Sequence, residues 1–364
     1  MKITVFGAGA WGTAVAQQAA RKHPTMLWGR DTALMTDIAQ QRENTRYLPG
    51  IKLQEQLQVS ADLADACAFS DQQLWVVGTA MAGLESTIRN ALRASPARPK
   101  AIVWLCKGIR AQESGLPQLP EPLAQAAMAQ GLVQLSEQAA LGRAMAPEAI
   151  QLGSLSGPSF AAEVGQGQPA ALVAASDHAE CSALMIEAFH HSQMRVYASS
   201  DLIGVSVGGA LKNIVAIAAG ICDGLGLGNN ARAALITRGL AEIARLGEAL
   251  GARGETFMGL AGLGDLVLTC TGNASRNRQV GLGLAQGKSL ADIVASLGHV
   301  AEGVATTHAA VSLARAKNIE LPIAEAVKRV LDGEIPAKEA VRALLSRDAK
   351  REDDSGPDSL ESAA

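Results

Sequence analysis

One lysine stands inside the most apolar segment of this chain. Residues 204–220 are almost all small or aliphatic, and Lys212 and Asn213 are the two long polar side chains among them. An ammonium group that loses its hydration has a lowered pKa, so Lys212 could donate or accept a proton near neutral pH. The alternative is a core helix whose lysine extends to the surface, as long basic side chains commonly do. The segment alone leaves both interpretations open.

A glycine-rich turn near the N-terminus could bind a dinucleotide. Residues 2–6 form a β-branched run, residues 7–12 read Gly-Ala-Gly-Ala-Trp-Gly, and residues 13–21 have a helical pattern. The spacing GxGxxG between a strand and a helix permits a tight turn, a close backbone approach to a pyrophosphate, and helix packing on the strand. Backbone N–H groups and the helix dipole favour negative charge there. The alternative is a tight structural turn.

Two charged residues follow the second predicted strand, residues 25–29. Arg30 and Asp31 come about twenty residues after the glycines, where the adenosine ribose is read. An acidic residue accepts from the 2′-hydroxyl of NAD, whereas an arginine suits the 2′-phosphate of NADP. Because Arg30 comes first, the sequence favours NADP with tolerance for NAD. The alternative is an exposed charge pair that caps the next helix.

Three further side chains stand where chemistry is possible. Lys107 follows the predicted strand 101–106 and could meet a phosphate or a carbonyl oxygen, or simply face solvent. Ser159 could cap a helix or bind an oxyanion. Asp265 lies in a glycine-rich turn between predicted helices that would present one carboxylate.

The segment Ser275-Arg276-Asn277 has the composition of a phosphate site. A hydroxyl, a guanidinium and an amide stand in succession at a predicted helix start, where backbone donors, dipole and charge act together. The alternative is an ordinary N-cap followed by a solvated basic face.

Length and composition restrict the class of protein. A chain of 364 residues is too long for one ordinary core, so two domains are expected. The net charge of −3 offers no excess of positive charge for binding nucleic acid.

The cysteines and histidines give no sign of a disulfide framework or a metal site. Five widely spaced cysteines indicate buried thiols in a reducing compartment. Six histidines without metal-ligand spacing give no reason to expect a metal or a catalytic triad. No secretory segment opens the sequence, so a cytoplasmic protein is expected.

The elements that must position these residues change type along the chain. Residues 1–198 alternate between strand and helix patterns, which predicts an α/β domain with a parallel sheet. Residues 199–346 show only helical patterns and predict an all-α domain, while residues 347–364 lack apolar periodicity and predict a disordered tail. Residues 203–221 are apolar enough to suggest a membrane span, but Lys212 and Asn213 at their centre favour a buried helix.

Individual elements are predicted as follows. The strands are 2–6, 25–29, 73–78, 101–106, 151–155, 170–175 and 194–198. The helices are 13–21, 32–41, 63–68, 84–94, 177–190, 230–250, 304–316, 323–331 and 337–345, besides the apolar segment 204–220. Residues 47–50 are predicted as a loop, and 111–151 as a long surface connection with helical pieces at 122–130 and 136–143.

Seven motifs, taken in order, resemble bacterial NAD(P)-dependent glycerol-3-phosphate dehydrogenases. They are residues 7–12, 106–109, 156–161, 209–213, 259–265, 275–278 and 301–303, and the likeness covers roughly residues 1–345. The resemblance implies a Rossmann-type dinucleotide-binding domain followed by an all-α domain of the 6-phosphogluconate dehydrogenase C-terminal type. It also implies reversible reduction of dihydroxyacetone phosphate to sn-glycerol 3-phosphate, a precursor of glycerophospholipids, with NADPH or NADH. The connection 111–151 is longer than the family pattern. A homodimer is a further expectation.

The resemblance assigns roles to single residues. It implies that Lys212 is the catalytic proton donor, assisted by Lys107, and that Asp265 holds a substrate hydroxyl or orients Lys212. The implied substrate-binding residues are Lys107, Gly157, Ser159, Lys212, Asp265, Ser275, Arg276 and Asn277. The implied cofactor-binding residues are Gly7, Gly9, Ala10, Trp11, Gly12, Arg30, Lys107, Ala161, Arg276, Val300 and Glu302. No metal is implied.

Two other functions compete with this one. A β-hydroxyacid dehydrogenase of the 6-phosphogluconate type also joins a Rossmann domain to helices that carry a lysine and an asparagine, but its substrate carboxylate would need a cation of its own. A nucleotide-sensing protein without catalysis would bind the cofactor and oxidise none of it. The set of Lys107, Lys212 and Asp265 argues against the second alternative.

Overall fold

The computed structural model describes residues 1–70, 73–95, 98–138, 150–297 and 301–346. The predictions for Val300, for residues 139–143 of the second helical piece and for the tail 347–364 fall outside these residues.

The strands of the described chain belong to one large sheet and one small hairpin. They are β1 (Ile3–Phe6), β2 (Thr25–Trp28), β3 (Glu43–Asn44), β4 (Leu48–Lys52), β5 (Leu57–Ser60), β6 (Leu74–Val77), β7 (Ala101–Trp104), β8 (Gln151–Ser156), β9 (Ala170–Ala175) and β10 (Met194–Ser199). The large sheet has the order β10-β9-β8-β7-β6-β1-β2-β5, and β3 pairs with β4. The chain passes from β5 back to β6 beside β1, so the strand order reverses between β1 and β6. A crevice at such a reversal is the usual ligand site in this class of sheet.

Helices flank the sheet in the first half of the chain, and the described residues after β10 form helices without strands. They are α1 (Ala10–Ala19), α2 (Thr32–Gln41), α3 (Leu63–Phe69), α4 (Leu84–Ala94), α5 (Pro120–Gln138), α6 (Ala161–Gly165), α7 (Ala179–Phe189), α8 (Leu202–Gly224), α9 (Gly228–Ala249), α10 (Gly254–Phe257), α11 (Asp265–Thr271), α12 (Arg276–Ala285), α13 (Leu290–Leu297), α14 (Glu302–Ala316), α15 (Pro322–Leu331) and α16 (Ala337–Leu345). A π-helical turn, Leu260–Gly264, leads directly into α11. The predicted fold class, a Rossmann-type domain followed by a helical domain, is therefore confirmed.

The predicted parallel sheet contains one antiparallel pair. Strands β8 and β9 pair in antiparallel fashion, whereas the other pairs of the large sheet are parallel. The helix between them, α6, has five residues. At 1.5 Å per residue it spans only about 7.5 Å, too little to carry the chain back along β8 for a parallel return.

Other local predictions were also wrong. The expected loop 47–50 belongs in part to β4, and β3 and β5 were not predicted. These strands have two to five residues, too few for a clear alternation. The two helical pieces expected within 122–143 are one helix as far as the structure describes them. It continues through Gly131, where a Cβ would lie 3.0 Å from the Leu92 Cβ, so the glycine serves close packing of α5 on α4.

Helix α8 lies at the centre of the molecule. Its 23 residues are long and apolar enough to span a membrane, but 89% of the most apolar window is buried inside the protein. Leu202 and Val205 at its start pack with the sheet core, while Ile214 and Ile217 pack with the helical core. Burial of nearly every side chain explains why the segment is apolar on all faces.

Candidate active site

Lys212 lies buried on α8, with its ammonium group bound on two sides. Its Nζ donates to Asp265 Oδ1 at 2.5 Å and to Thr269 Oγ1 at 3.0 Å. Thr269 stands one turn after Asp265 on α11, and its hydroxyl in turn donates to the Asp265 carbonyl oxygen at 2.6 Å. Thr269 was not predicted from the sequence, although its spacing of four residues from Asp265 places both side chains on one helix face.

Asp265 also binds the second lysine of the site. Lys107, three residues beyond the end of β7, donates from Nζ to Asp265 Oδ2 at 2.7 Å and to the Gly157 carbonyl oxygen at 3.0 Å. One carboxylate, 1% exposed, therefore holds two ammonium groups, one from the sheet edge and one from α8. Three residues separated by long stretches of chain meet here.

The electrostatics of this cluster favour proton transfer by Lys212. Burial lowers the pKa of Lys212 to about 8, and the charge of Lys107 acts in the same direction while Asp265 opposes both. Burial alone would raise the pKa of Asp265, but Lys107 and Lys212 outweigh it and hold that pKa below its usual value. Asp265 is therefore ionised at neutral pH, and Lys212 can change its protonation state close to neutrality.

A chain of amide hydrogen bonds joins the neighbouring helices. Asn277 on α12 donates from Nδ2 to Asn213 Oδ1 at 2.9 Å and accepts from the Gly303 backbone N–H at 3.0 Å. Asn213 donates in turn to the Lys107 carbonyl oxygen at 3.4 Å. The amides thus tie α8, α12 and the start of α14 to the strand end that carries Lys107.

The predicted phosphate segment forms the N-terminus of α12. Ser275 is the N-cap, and its Oγ accepts from the Arg278 N–H at 3.3 Å. Arg276 is exposed in the first turn, where the helix dipole already favours an anion. The guanidinium of Arg278 is already paired with the Asp223 carboxylate at 2.7 Å, so it is less available than Arg276 to bind an anion at this turn.

Gly157 and Ser159 lie at the end of β8, next to Lys107. The Ser159 hydroxyl donates to the Gly157 carbonyl oxygen at 2.9 Å. The N-cap position of α6 is occupied by Phe160, which makes no side-chain cap, so the alternative of Ser159 as a helix cap was wrong. Ala161 is the first residue of that helix.

The glycine turn fits a dinucleotide pyrophosphate. Gly7 has a φ of 125°, and a Cβ there would lie 2.8 Å from the Gly78 carbonyl carbon. A Cβ at Gly12 would lie 2.0 Å from the Gly7 carbonyl oxygen. A Cβ at Gly9, by contrast, would meet no protein atom within 4 Å. The space beside Gly9 is open at the N-terminus of α1, where no side chain caps the helix and the first N–H groups can bind an anion. Ala10 and Trp11 form that first turn.

Two further predicted cofactor residues lie far apart in the chain, one after β2 and the other at the start of α14. Arg30 is exposed two residues after the end of β2, while its neighbour Asp31 caps α2 by accepting from the Leu34 N–H at 3.1 Å. Glu302 is the first residue of α14. Burial raises the pKa of Glu302, and the charge of Arg276 opposes that rise.

Metal ligation has no support in the part of the chain that the structure describes. In those ranges no group of three or more His, Cys, Asp or Glu side chains could hold an ion. The five cysteines are buried free thiols, as predicted.

The structure combines a glycine turn that fits a dinucleotide with a buried lysine on a helical second domain. These two features define the class of two-domain nicotinamide-dependent dehydrogenases. Two family models match the chain in succession. Residues 2–182 match the N-terminal domain and residues 201–342 the C-terminal domain of NAD-dependent glycerol-3-phosphate dehydrogenase. The chain belongs to the NAD-dependent glycerol-3-phosphate dehydrogenase family.

Relatives and solved structures agree with this membership. The chain is 52% identical over 354 residues to glycerol-3-phosphate dehydrogenase [NAD(P)+] of Herminiimonas arsenicoxydans, covering 97% of this chain and 99% of that protein. It is 51% identical to the protein of the same name from Burkholderia lata, covering 97% and 100%. The crystal structure of glycerol-3-phosphate dehydrogenase from Coxiella burnetii superimposes with a TM-score of 0.84 at 36% identity, covering 95% of this chain and 99% of that one.

Proposed function

We propose that this protein catalyses the reversible reduction of dihydroxyacetone phosphate to sn-glycerol 3-phosphate with NADPH or NADH. The observation that carries the proposal is the Asp265 carboxylate between Lys107 and Lys212, buried beside a dinucleotide-type sheet edge. Relatives about 50% identical over nearly the whole chain are named glycerol-3-phosphate dehydrogenase [NAD(P)+].

The cluster supplies the proton chemistry of a ketone reduction. A bound NADPH or NADH provides the hydride for the C2 carbonyl carbon. Negative charge then develops on the carbonyl oxygen, and Lys212 donates a proton to it. Two of the three ammonium hydrogens of Lys212 bind Asp265 and Thr269, which leaves one for the substrate. In the oxidation direction the neutral amine of Lys212 accepts the hydroxyl proton.

Asp265 and Lys107 influence the orientation and the protonation of the catalytic Lys212. Asp265 keeps the Lys212 ammonium oriented and partly offsets the effect of burial on its pKa. Lys107 brings a second positive charge to the site, where it stabilises the developing oxyanion. Its position at the sheet edge lets it contact both substrate and cofactor.

The remaining residues bind either the substrate phosphate or the cofactor. Ser275, Arg276 and Asn277 hold the substrate phosphate at the start of α12, with Gly157 and Ser159 on the opposite side. The cofactor is held by the turn Gly7, Gly9, Ala10, Trp11 and Gly12, by Arg30, Lys107, Ala161 and Arg276, and by Val300 and Glu302. Arg30 beside the ribose gives NADPH the preference over NADH.

The test is a spectrophotometric assay of NADPH oxidation with dihydroxyacetone phosphate, repeated with NADH and with short β-hydroxy acids in the reverse direction. Lys212→Ala should lower kcat by about 10²- to 10⁴-fold, the range of a lost general acid. Titration of the same variant by NADPH fluorescence should be unchanged. Lys288→Ala, an exposed lysine after α12, is the matched control. Full activity of Lys212→Ala, or turnover of β-hydroxy acids alone, contradicts the proposal.

Three finer features belong to the same proposal. The enzyme acts in the cytoplasm, supplies glycerophospholipid synthesis, and forms a homodimer that covers exposed apolar side chains such as Met258. Light scattering after gel filtration tests the dimer, and a monomer at micromolar concentration excludes it.

A further inference from the structure

The hairpin β3–β4 is fastened to the dinucleotide-binding turn. Asn44, fully buried, donates from Nδ2 to the Ala8 carbonyl oxygen at 2.9 Å and to Thr13 Oγ1 at 2.8 Å. Its Oδ1 accepts from the Tyr47 N–H at 3.2 Å. One buried amide therefore fixes residues 44–47 beside the glycine turn.

This anchoring places a second arginine where the adenosine ribose is read. The Arg46 guanidinium lies 3.4 Å from Asp31 Oδ2 and 5.1 Å from the centre of the Tyr47 ring. The contact with the ring restricts the long side chain, although 61% of it is exposed. Asp31 uses its other oxygen to cap α2. Arg30, Asp31 and Arg46 thus form one charge cluster at the carboxyl end of β2.

The charges of this cluster bear directly on the choice of cofactor. An isolated Asp31 carboxylate would repel a 2′-phosphate, but Arg46 neutralises it and leaves Arg30 as the net positive charge. Exposed ion pairs contribute little to stability, so the pair can exchange partners at small cost. A guanidinium binds phosphate oxygens with charge-assisted hydrogen bonds. A free Asp31 oxygen can accept from a ribose 2′-hydroxyl instead.

The geometry points to Arg46 as a second specificity residue for the 2′-phosphate of NADP, with Asp31 as its exchangeable counter-ion. The inference rests on the proposed function, because it presupposes a nicotinamide dinucleotide in the crevice. It accounts for the acceptance of both cofactors: Arg46 with Arg30 receives the phosphate of NADPH, and Asp31 receives the hydroxyl of NADH.

The test measures binding without the substrate. Arg46→Ala should raise the Kd for NADPH at least tenfold in fluorescence titrations and change the Kd for NADH less than twofold. In calorimetric titrations, Arg46→Ala should bind adenosine 2′,5′-bisphosphate more weakly than the unmodified protein does, and its affinity for AMP should be unchanged. Asp31→Asn, which still caps α2, should bind NADPH more tightly and NADH more weakly. Lys52→Ala removes an exposed lysine of the same hairpin, paired with Glu43, and should change none of these values.

The outcomes separate this inference from the proposed function. If the unmodified protein binds neither NADPH nor NADH, the proposed function fails. If it binds both, but Arg46→Ala weakens both equally or neither, the inference is overturned. Thermal melting of each variant shows whether it is folded.

Discussion

At the scale of single residues, the site depends on one carboxylate that serves two lysines. Asp265 is almost fully buried and ionised, and each of its oxygens accepts from a different ammonium group. A buried charge without its partner is strongly unfavourable, so each of the three side chains requires the others. The same burial that makes the pairing necessary lowers the pKa of Lys212 to about 8. Stability and reactivity therefore have one physical origin here.

This lowered pKa predicts opposite pH profiles for the two directions of the reaction. Reduction needs the Lys212 ammonium, so its kcat/KM should be level below pH 8 and fall about tenfold per pH unit above it, since the pKa is about 8. Oxidation needs the neutral amine and should rise through the same pH. Initial rates between pH 7 and 10 at constant ionic strength measure both profiles. A reduction rate that stays level to pH 10 would exclude Lys212 as the proton donor.

At the scale of elements, α8 depends on the residue that caps it. Asp201 is buried, and it accepts from the Gly204 N–H at 2.8 Å, the Arg253 N–H at 3.0 Å and the Thr256 hydroxyl at 2.5 Å. This carboxylate fixes the start of α8 to the segment that leads into α10. The position of Lys212, three turns further along, follows from that anchoring.

Removing this cap should destabilise the protein markedly. Asp201→Ala deletes three hydrogen bonds to a buried charge and should lower the free energy of unfolding by about 3 kcal/mol. Asp62 is the matched control, because it caps α3 in an exposed position and its loss should cost about 1 kcal/mol. Urea unfolding followed by circular dichroism measures both values. Equal effects of the two substitutions would show that the contacts of Asp201 add nothing to an ordinary cap.

At the scale of the whole molecule, α8 joins the two halves. Its first residues share a core with Trp104 and Ala175 of the sheet, and the rest of the helix forms the centre of the helical core. Lys107 crosses from the sheet edge to Asp265 in the same region. Neither half can lose its structure without exposing apolar surface of the other.

The shared helix predicts one cooperative unfolding transition. Differential scanning calorimetry should show a single peak for the full chain. NADPH at 100 times its Kd should add about 2.7 kcal/mol to the free energy of unfolding and shift that whole peak to a higher temperature. AMP at a concentration below its Kd serves as the control and should leave the peak in place. Two resolved peaks, of which NADPH moves only one, would show that the halves unfold independently.

The elements with strong local signals could be predicted from the sequence. The bounds of α2, α4, α16 and β9 agree residue for residue with the patterns at 32–41, 84–94, 337–345 and 170–175. The short strands β3 and β5 could not be predicted, because so few residues give no periodicity. Strands β8 and β9 were predicted, but their antiparallel pairing was not, because the direction of a pair depends on how the chain connects the two strands in space.

For the site, the sequence by itself determined which chemical groups are present and which motifs surround them. It supplied a lysine in an apolar helix, a carboxylate in a glycine-rich turn and a GxGxxG turn between strand and helix. Only the tertiary structure decided that Lys107 and Lys212 share Asp265, that Thr269 joins them, and that Arg46 lies against Asp31. The physical reason is that side-chain chemistry and helical periodicity are local, whereas burial, ion pairing and the resulting pKa arise from contacts between distant segments.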